Sequence, residues 1–169
     1  MGKFTQTHEI NCNADTFWKT FLDNNFNTAL NLERLGASEF KVLENRETDQ
    51  EVLVKSTCRP KMNMPGPVAK LFGSGYSQTL EGRLDKARKV WSFKIIPSSM
   101  ADKIRQEGTI RVEPMGDGKV RRIAEIEYEA KIFGVGGLLE STSEKQIRED
   151  SDAAAVFMNQ WVAQGKANS

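Results

Sequence analysis

Polar and apolar positions alternate from residue 3 to 10, with Phe4, Gln6, His8 and Ile10 on one face and Thr5, Thr7 and Glu9 on the other. A period of two is the mark of a half-buried strand. After Asn11 the period lengthens. Asn13 or Asp15 can cap a helix carrying Phe17, Trp18, Phe21 and Leu22, and a second short helix is predicted from Asn27 to Leu35, stopping at Gly36. Further extended segments follow: Glu39 to Asn45, Glu51 to Arg59, Tyr76 to Leu84, Val90 to Ile96 and Thr109 to Glu113, with a seventh strand from Val120 to Ile132. Connections such as Arg46-Glu47-Thr48-Asp49, Asp85-Lys86-Ala87-Arg88 and Gly116-Asp117-Gly118 are short and polar, which implies antiparallel neighbours.

The last strand passes through Gly134-Val135-Gly136-Gly137 into a helical pattern of about thirty residues. Its expected inward stripe, at spacings of three and four, reads Leu139, Ser143, Gln146, Asp150, Ala154, Phe157, Trp161. That stripe is apolar at both ends and polar in the middle. A helix laid on a solid core has no use for a polar middle, whereas one spanning a partly wet cavity does. The element order predicts an α+β domain, a seven-stranded antiparallel sheet with its helices gathered on one face. One domain over residues 1–164 is expected, with residues 165–169 as a frayed tail.

Two connections depart from the tight turns. Pro60 to Gly75 contains Met62, Met64, Val68, Leu71 and Phe72, and Pro97 to Gln106 contains Met100 and Ile104. Loops this apolar must cover something. Either Met62, Met64, Leu71 and Phe72 gate a cavity mouth, where flexible thioethers suit a surface that repacks, or Val68 to Phe72 is a short helical turn packed into the core.

Three passages carry a family resemblance: Phe4-x3-His8 followed by Asp15-x2-Trp18 and Leu22-Asp23; Pro65 to Gly73; and Ile132-Phe133-Gly134-x-Gly136-Gly137-x-Leu139-Glu140. Together they resemble the START-like helix-grip superfamily over nearly the whole chain, and within it a bacterial family of unknown function. The last passage is also similar to VASt-type sterol-transfer domains. The resemblance implies a curved sheet gripping the C-terminal helix, with a hydrophobic tunnel between them. Since one fold hosts carriers, enzymes and interaction modules, function must be argued from the site.

Charge adds little pull toward a polyanion: 24 Lys and Arg stand against 23 Asp and Glu. A nucleic-acid partner is therefore not expected. The basic runs Lys86-Ala87-Arg88-Lys89 and Lys119-Val120-Arg121-Arg122 sit at hairpin ends, where solvated turns are usual. Cys12 and Cys58 read as free thiols, no Cys/His cluster has zinc spacing, and no cofactor or metal is implied. The N-terminal stretch lacks an apolar signal core, so a cytoplasmic location is expected. The Gly134 to Gly137 turn has neither a P-loop nor a dinucleotide pattern, and close packing of helix on sheet explains its glycines better.

The concave wall assigned from the alternating faces includes Val54, Leu80, Trp91, Phe93, Ile110 and Tyr128. The same faces carry Gln6, His8, Ser56, Gln78 and Arg122, opposite Gln146 and Asp150 on the helix. Buried polar groups of this kind must pair with one another, with water or with a ligand. The leading expectation is a non-enzymatic binder of a hydrophobic small molecule or lipid, with room for transient membrane contact. Tyr76, Trp91, Phe93, Tyr128, Leu139 and Phe157 would form the apolar wall, and His8, Gln78, Gln146 and Asp150 would orient a polar head. The alternatives are a polyketide cyclase-like enzyme using His8 or Tyr76 as acid or base, and a protein-interaction module.

Overall fold

In the computed structural model, which describes residues 2–168, the chain opens with β1 (Gly2–Ile10) and turns into α1 (Ala14–Phe21). Asn13 starts that helix, its side-chain oxygen accepting from the Thr16 N–H at 2.8 Å. Asp23 plays the same part for α2 (Asn24–Ala29), accepting from Asn25 N–H at 2.9 Å. A wide π-helical turn, Leu30–Arg34, continues α2. The second helical element therefore begins three residues before the expected Asn27, because the capping power of Asp23 outweighs the weak helix propensity of the asparagines that follow.

Next come β2 (Glu39–Glu47), β3 (Glu51–Arg59), α3 (Gly66–Phe72), β4 (Gln78–Asp85), β5 (Val90–Pro97), β6 (Ile104–Pro114) and β7 (Val120–Ala130). The chain ends in α4 (Gly136–Ala163) and a single 3-10 turn, Lys166–Asn168. All seven strands join one sheet in the order β1-β7-β6-β5-β4-β3-β2, antiparallel throughout. Consecutive hairpins build β2 to β7, and β1 closes the far edge beside β7. The helices lie on one face, and the fold is an α+β helix grip.

β6 starts at Ile104, not Thr109, because Ile104 faces Ala130 in register and buries its side chain. The apolar stretch from Pro60 to Gly75 contains α3, and Val68, fully buried, and Phe72 anchor it in the core. Here the core-packing alternative holds. Gly136 starts α4 so close to the sheet that a Cβ there would meet the Ala130 carbonyl oxygen at 2.5 Å. Of the glycines in that passage, Gly136 serves close packing, Gly134 takes a left-handed backbone angle (φ 83°), and a Cβ at Gly137 would meet nothing. After α4, Gly165 takes a left-handed backbone angle, Ala167 is buried, and Lys166 lies over the Trp161 ring at 4.9 Å. Met1 and Ser169 lie outside the described residues.

Apolar packing divides into two regions. The larger joins Phe4, Ile10, Phe17, Phe26, Trp91, Ile126 and Met158 beneath α1, α2 and the second half of α4. The smaller gathers Val68, Phe72, Ile104, Tyr128, Ala130 and Leu139 between α3 and the start of α4. α4 itself packs on β1 and β7. Its buried side chains are Leu139, Ser143, Ala155 and Met158, so the true inward line turns about one residue away from the expected one in its second half.

Candidate functional site

α4 packs mainly on β1 and β7, while α1 and α2 stand over part of the remaining sheet. Beneath that roof is a cavity of about 220 Å³. Its floor and walls are apolar: Val54, Leu80, Trp91, Phe93 and Ile110 from the sheet, with Phe21 and Leu22 from the roof. A polar arc of Asn24, Asn27 and Asn31 from the helices meets Ser56, Cys58 and Gln78 from the strands. Trp91 is fixed from both sides. Phe21 meets its ring edge-on at 5.2 Å, and Gly82 leaves the space into which the indole settles.

Much of the polar arc is already engaged. Asn27 Nδ2 donates to the carbonyl oxygens of Phe21 at 2.8 Å and Asp23 at 3.0 Å, and Asn31 Nδ2 donates to the Asn27 carbonyl at 2.8 Å. The Cys58 thiol makes a long contact to Asn31 Oδ1 at 4.0 Å. Burial, with a smaller contribution from the Asp150 charge, pushes that thiol up to about 11, so it stays protonated and poorly nucleophilic at neutral pH.

Of the side chains expected to form the site, the structure brings Trp91, Phe93 and Gln78 together around this cavity. The others lie elsewhere, for one main reason: α4 crosses the β1 and β7 side of the sheet and contributes no lining residue. Tyr76 donates from its hydroxyl to Gln78 Oε1 at 3.3 Å but turns its ring edge-on to Phe72, into the smaller core. Burial drives its phenol well above the ordinary range, followed by the influence of Tyr128 and Cys58. Tyr128 and Leu139 are buried in the same smaller core, as are the expected gate residues Phe72, Leu71, Met62 and Met64 in whole or part.

Phe157 packs on Phe26 at 5.8 Å and Trp161 at 6.0 Å, against α2. Gln146 donates to Asp150 Oδ1 at 2.9 Å along the flank of α4. Burial raises the Asp150 carboxyl, while Gln146 and, more weakly, Arg34 lower it. His8 is on the inner face of β1, tied by Nε2 to Asp152 Oδ1 at 2.7 Å, and does not line the cavity. Sequence reasoning misses the asparagines as site residues, although Asn24, Asn27 and Asn31 stand at the three- and four-residue spacing of one helix face. Starting the helix at Asn27 hides that face.

The architecture is that of a helix-grip fold, with a cavity between the sheet and its roof of α1 and α2. Within it, the chain matches the family described as a protein of unknown function, DUF2505, over residues 5–162, and it belongs to that family. No curated protein matches it in sequence. Among solved structures it is similar to TTHA0849 from Thermus thermophilus, with 18% identity, a TM-score of 0.70, and 97% of this chain and 99% of that one covered. It is also similar to the Zhui aromatase/cyclase of Streptomyces sp. R1128, with 15% identity, a TM-score of 0.64, and 95% of each chain covered. A further neighbour is norcoclaurine synthase from Thalictrum flavum, determined with dopamine and hydroxybenzaldehyde, at 15% identity and a TM-score of 0.65, covering 96% of this chain and 87% of that one. At these identities the likeness is one of fold. No helix among the described residues is long and apolar enough to cross a membrane.

Proposed function

We propose that the protein binds, without transforming it, a small hydrophobic molecule in the cavity beneath α1 and α2. The observation that carries this reading is the cavity itself, with its wall of Val54, Leu80, Trp91, Phe93 and Ile110 and polar groups confined to one arc. Such a division suits a ligand with an apolar body and one polar end. Size narrows the class. An apolar cavity of about 150 Å³ takes a benzene ring, so about 220 Å³ suits a one- or two-ring compound or a short aliphatic chain better than a long-chain lipid.

Binding fits better than catalysis. Tyr76 and His8, the acid–base candidates, both stand outside the lining, and burial holds the Tyr76 phenol protonated. The small-molecule complex of the norcoclaurine synthase neighbour supports use of this fold for compounds of that size. Native mass spectrometry of freshly purified protein, followed by extraction, tests the reading. One small apolar compound per chain is expected, and it should be lost from Val54→Phe, which fills the cavity. Retention of the same compound by Val54→Phe would place the ligand elsewhere.

A further inference from the structure

Polar atoms sealed from solvent without a hydrogen-bond partner are few among the described residues, and three of them share one place: Gln6 Oε1, His8 Nδ1 and Arg122 Nε. His8 and Arg122 are directly opposite each other in the β1–β7 ladder, and Gln6 stands at the next inward position of β1. All three face α4, as Phe4 and Ile126 do from the same face of the same ladder. Leaving such an atom without a partner is costly. Three such atoms side by side on one face of the β1–β7 ladder are the sheet's densest group of unmet polar atoms among those named.

The charges around that group select the chemistry of a ligand. The Arg122 guanidinium has no ion pair or side-chain hydrogen bond among the described residues, and burial lowers it to about 10. It remains a cation at neutral pH. The acids and bases nearby are already engaged. Asp152 Oδ1 accepts from His8 Nε2 at 2.7 Å and from Gln6 Nε2 at 2.8 Å. Arg148 on α4 donates from Nε to Glu144 at 3.1 Å and lies over the Phe4 ring at 4.5 Å. One uncompensated cation calls for one negative charge, and a guanidinium edge matches a carboxylate with two parallel hydrogen bonds.

The geometry points to Arg122 and His8 as a half-buried receptor for a carboxylate. The anion accepts from the Arg122 guanidinium and, when the imidazole is protonated, from His8 Nδ1–H, while His8 Nε2–H stays on Asp152. Gln6 Oε1 accepts from a water bound alongside. The carboxylate has two possible sources: a free small acid, or the acid end of the cavity's ligand. In favour of a link, Arg122 faces Val112 on β6, and the next inward pair along those strands, Ile110 and Ala124, includes the cavity-lining Ile110.

Because His8 is the only histidine, its ring signals in NMR spectra report on this site without ambiguity. The full-length protein is titrated with acetate, 3-phenylpropanoate and 3-phenylpropanamide, following His8 and measuring affinity by calorimetry. The carboxylates should move the His8 signals and the amide should not, with 3-phenylpropanoate binding at least about tenfold tighter than its amide, as a charged hydrogen-bonded pair provides. In Arg122→Gln that ratio should fall to about one, and Arg122→Lys should restore part of it. Tight acetate binding identifies a free-acid site, and a strong preference for 3-phenylpropanoate over acetate identifies the ligand's acid end.

Equal affinity for acid and amide, or a preference that survives Arg122→Gln, overturns the receptor while leaving the cavity reading intact. Movement of His8 by acetate with no uptake of either phenyl compound keeps the receptor and counts against the cavity. Should Arg122→Gln fail to fold, the wild-type titration and Arg122→Lys still decide, since unmoved His8 signals with both acids mean that water alone fills the space.

Discussion

The indole of Trp91 occupies the space that a side chain at position 82 would need: a Cβ on Gly82 would be 2.0 Å from Trp91 Cζ2. Backbone at one position and the largest cavity-wall side chain at another are therefore a single packing unit. Gly82→Ala should push the indole off the floor toward Phe21, at a cost of about 1–3 kcal/mol for overpacking. Denaturant melts check the stability, and loss of ligand uptake without unfolding is the expected functional result. A variant that binds normally would show that Trp91 does not shape the site.

Cys58 and Cys12 should both resist alkylation in the native state, since burial raises both thiols. The rate at Cys58 should climb as pH rises toward about 11, where its thiolate forms. Cys58 lines the cavity and Cys12 does not. A bound ligand should consequently slow modification of Cys58 while leaving Cys12 unchanged, which peptide mass mapping can follow. Equal protection of both would indicate global stabilisation and no contact at Cys58.

Asp150 offers a test of pH dependence. Its folded-state carboxyl is raised, chiefly by burial, so the folded protein holds that proton more tightly than the unfolded chain does. The group therefore costs stability once pH exceeds its folded value, and costs nothing below the ordinary carboxylate range. Asp150→Asn keeps an acceptor for Gln146 and should raise Tm at pH 7. The gain should shrink to nothing by about pH 3. A lower Tm at pH 7 would mean that attraction to Arg34 outweighs burial.

Leu139 separates the smaller core from the binding site. Fully buried beside Val68 and Tyr128, it should cost about 2–5 kcal/mol when replaced by Ala. Ligand affinity of the remaining folded protein should be unchanged, because Leu139 does not line the cavity. Reduced affinity in folded Leu139→Ala would restore α4 to the site.

The strands were legible because Phe4, Ile10, Leu84, Trp91, Ile110 and Ile126 alternate with polar neighbours, and a period of two admits one face only. The site was legible only in part. Trp91, Phe93 and Gln78 follow from the same alternation, but which helix covers them depends on where each helix crosses the sheet, and periodicity carries no such information. On α4 a one-residue rotation separates Ala154 from the buried Ala155 and Phe157 from the buried Met158. Apolar residues at both positions leave the stripe ambiguous. The polar middle of that helix lies along its flank, where Gln146 and Asp150 satisfy each other.

The sheet order also has a kinetic side. β1 is the first of the seven strands to be made, yet among the described residues its one strand partner is β7, with Gly2 facing Tyr128 and Ile10 facing Val120. Hairpins from β2 to β7 can zip in sequence, whereas this last seam must close a loop spanning most of the chain, an expensive and slow event. On the ribosome the first strand waits, unpaired, for nearly the entire domain to emerge. α1 and α2 are tethered to it, so the roof settles when the seam shuts, and the cavity is expected to be the last part of the molecule to become a binding site.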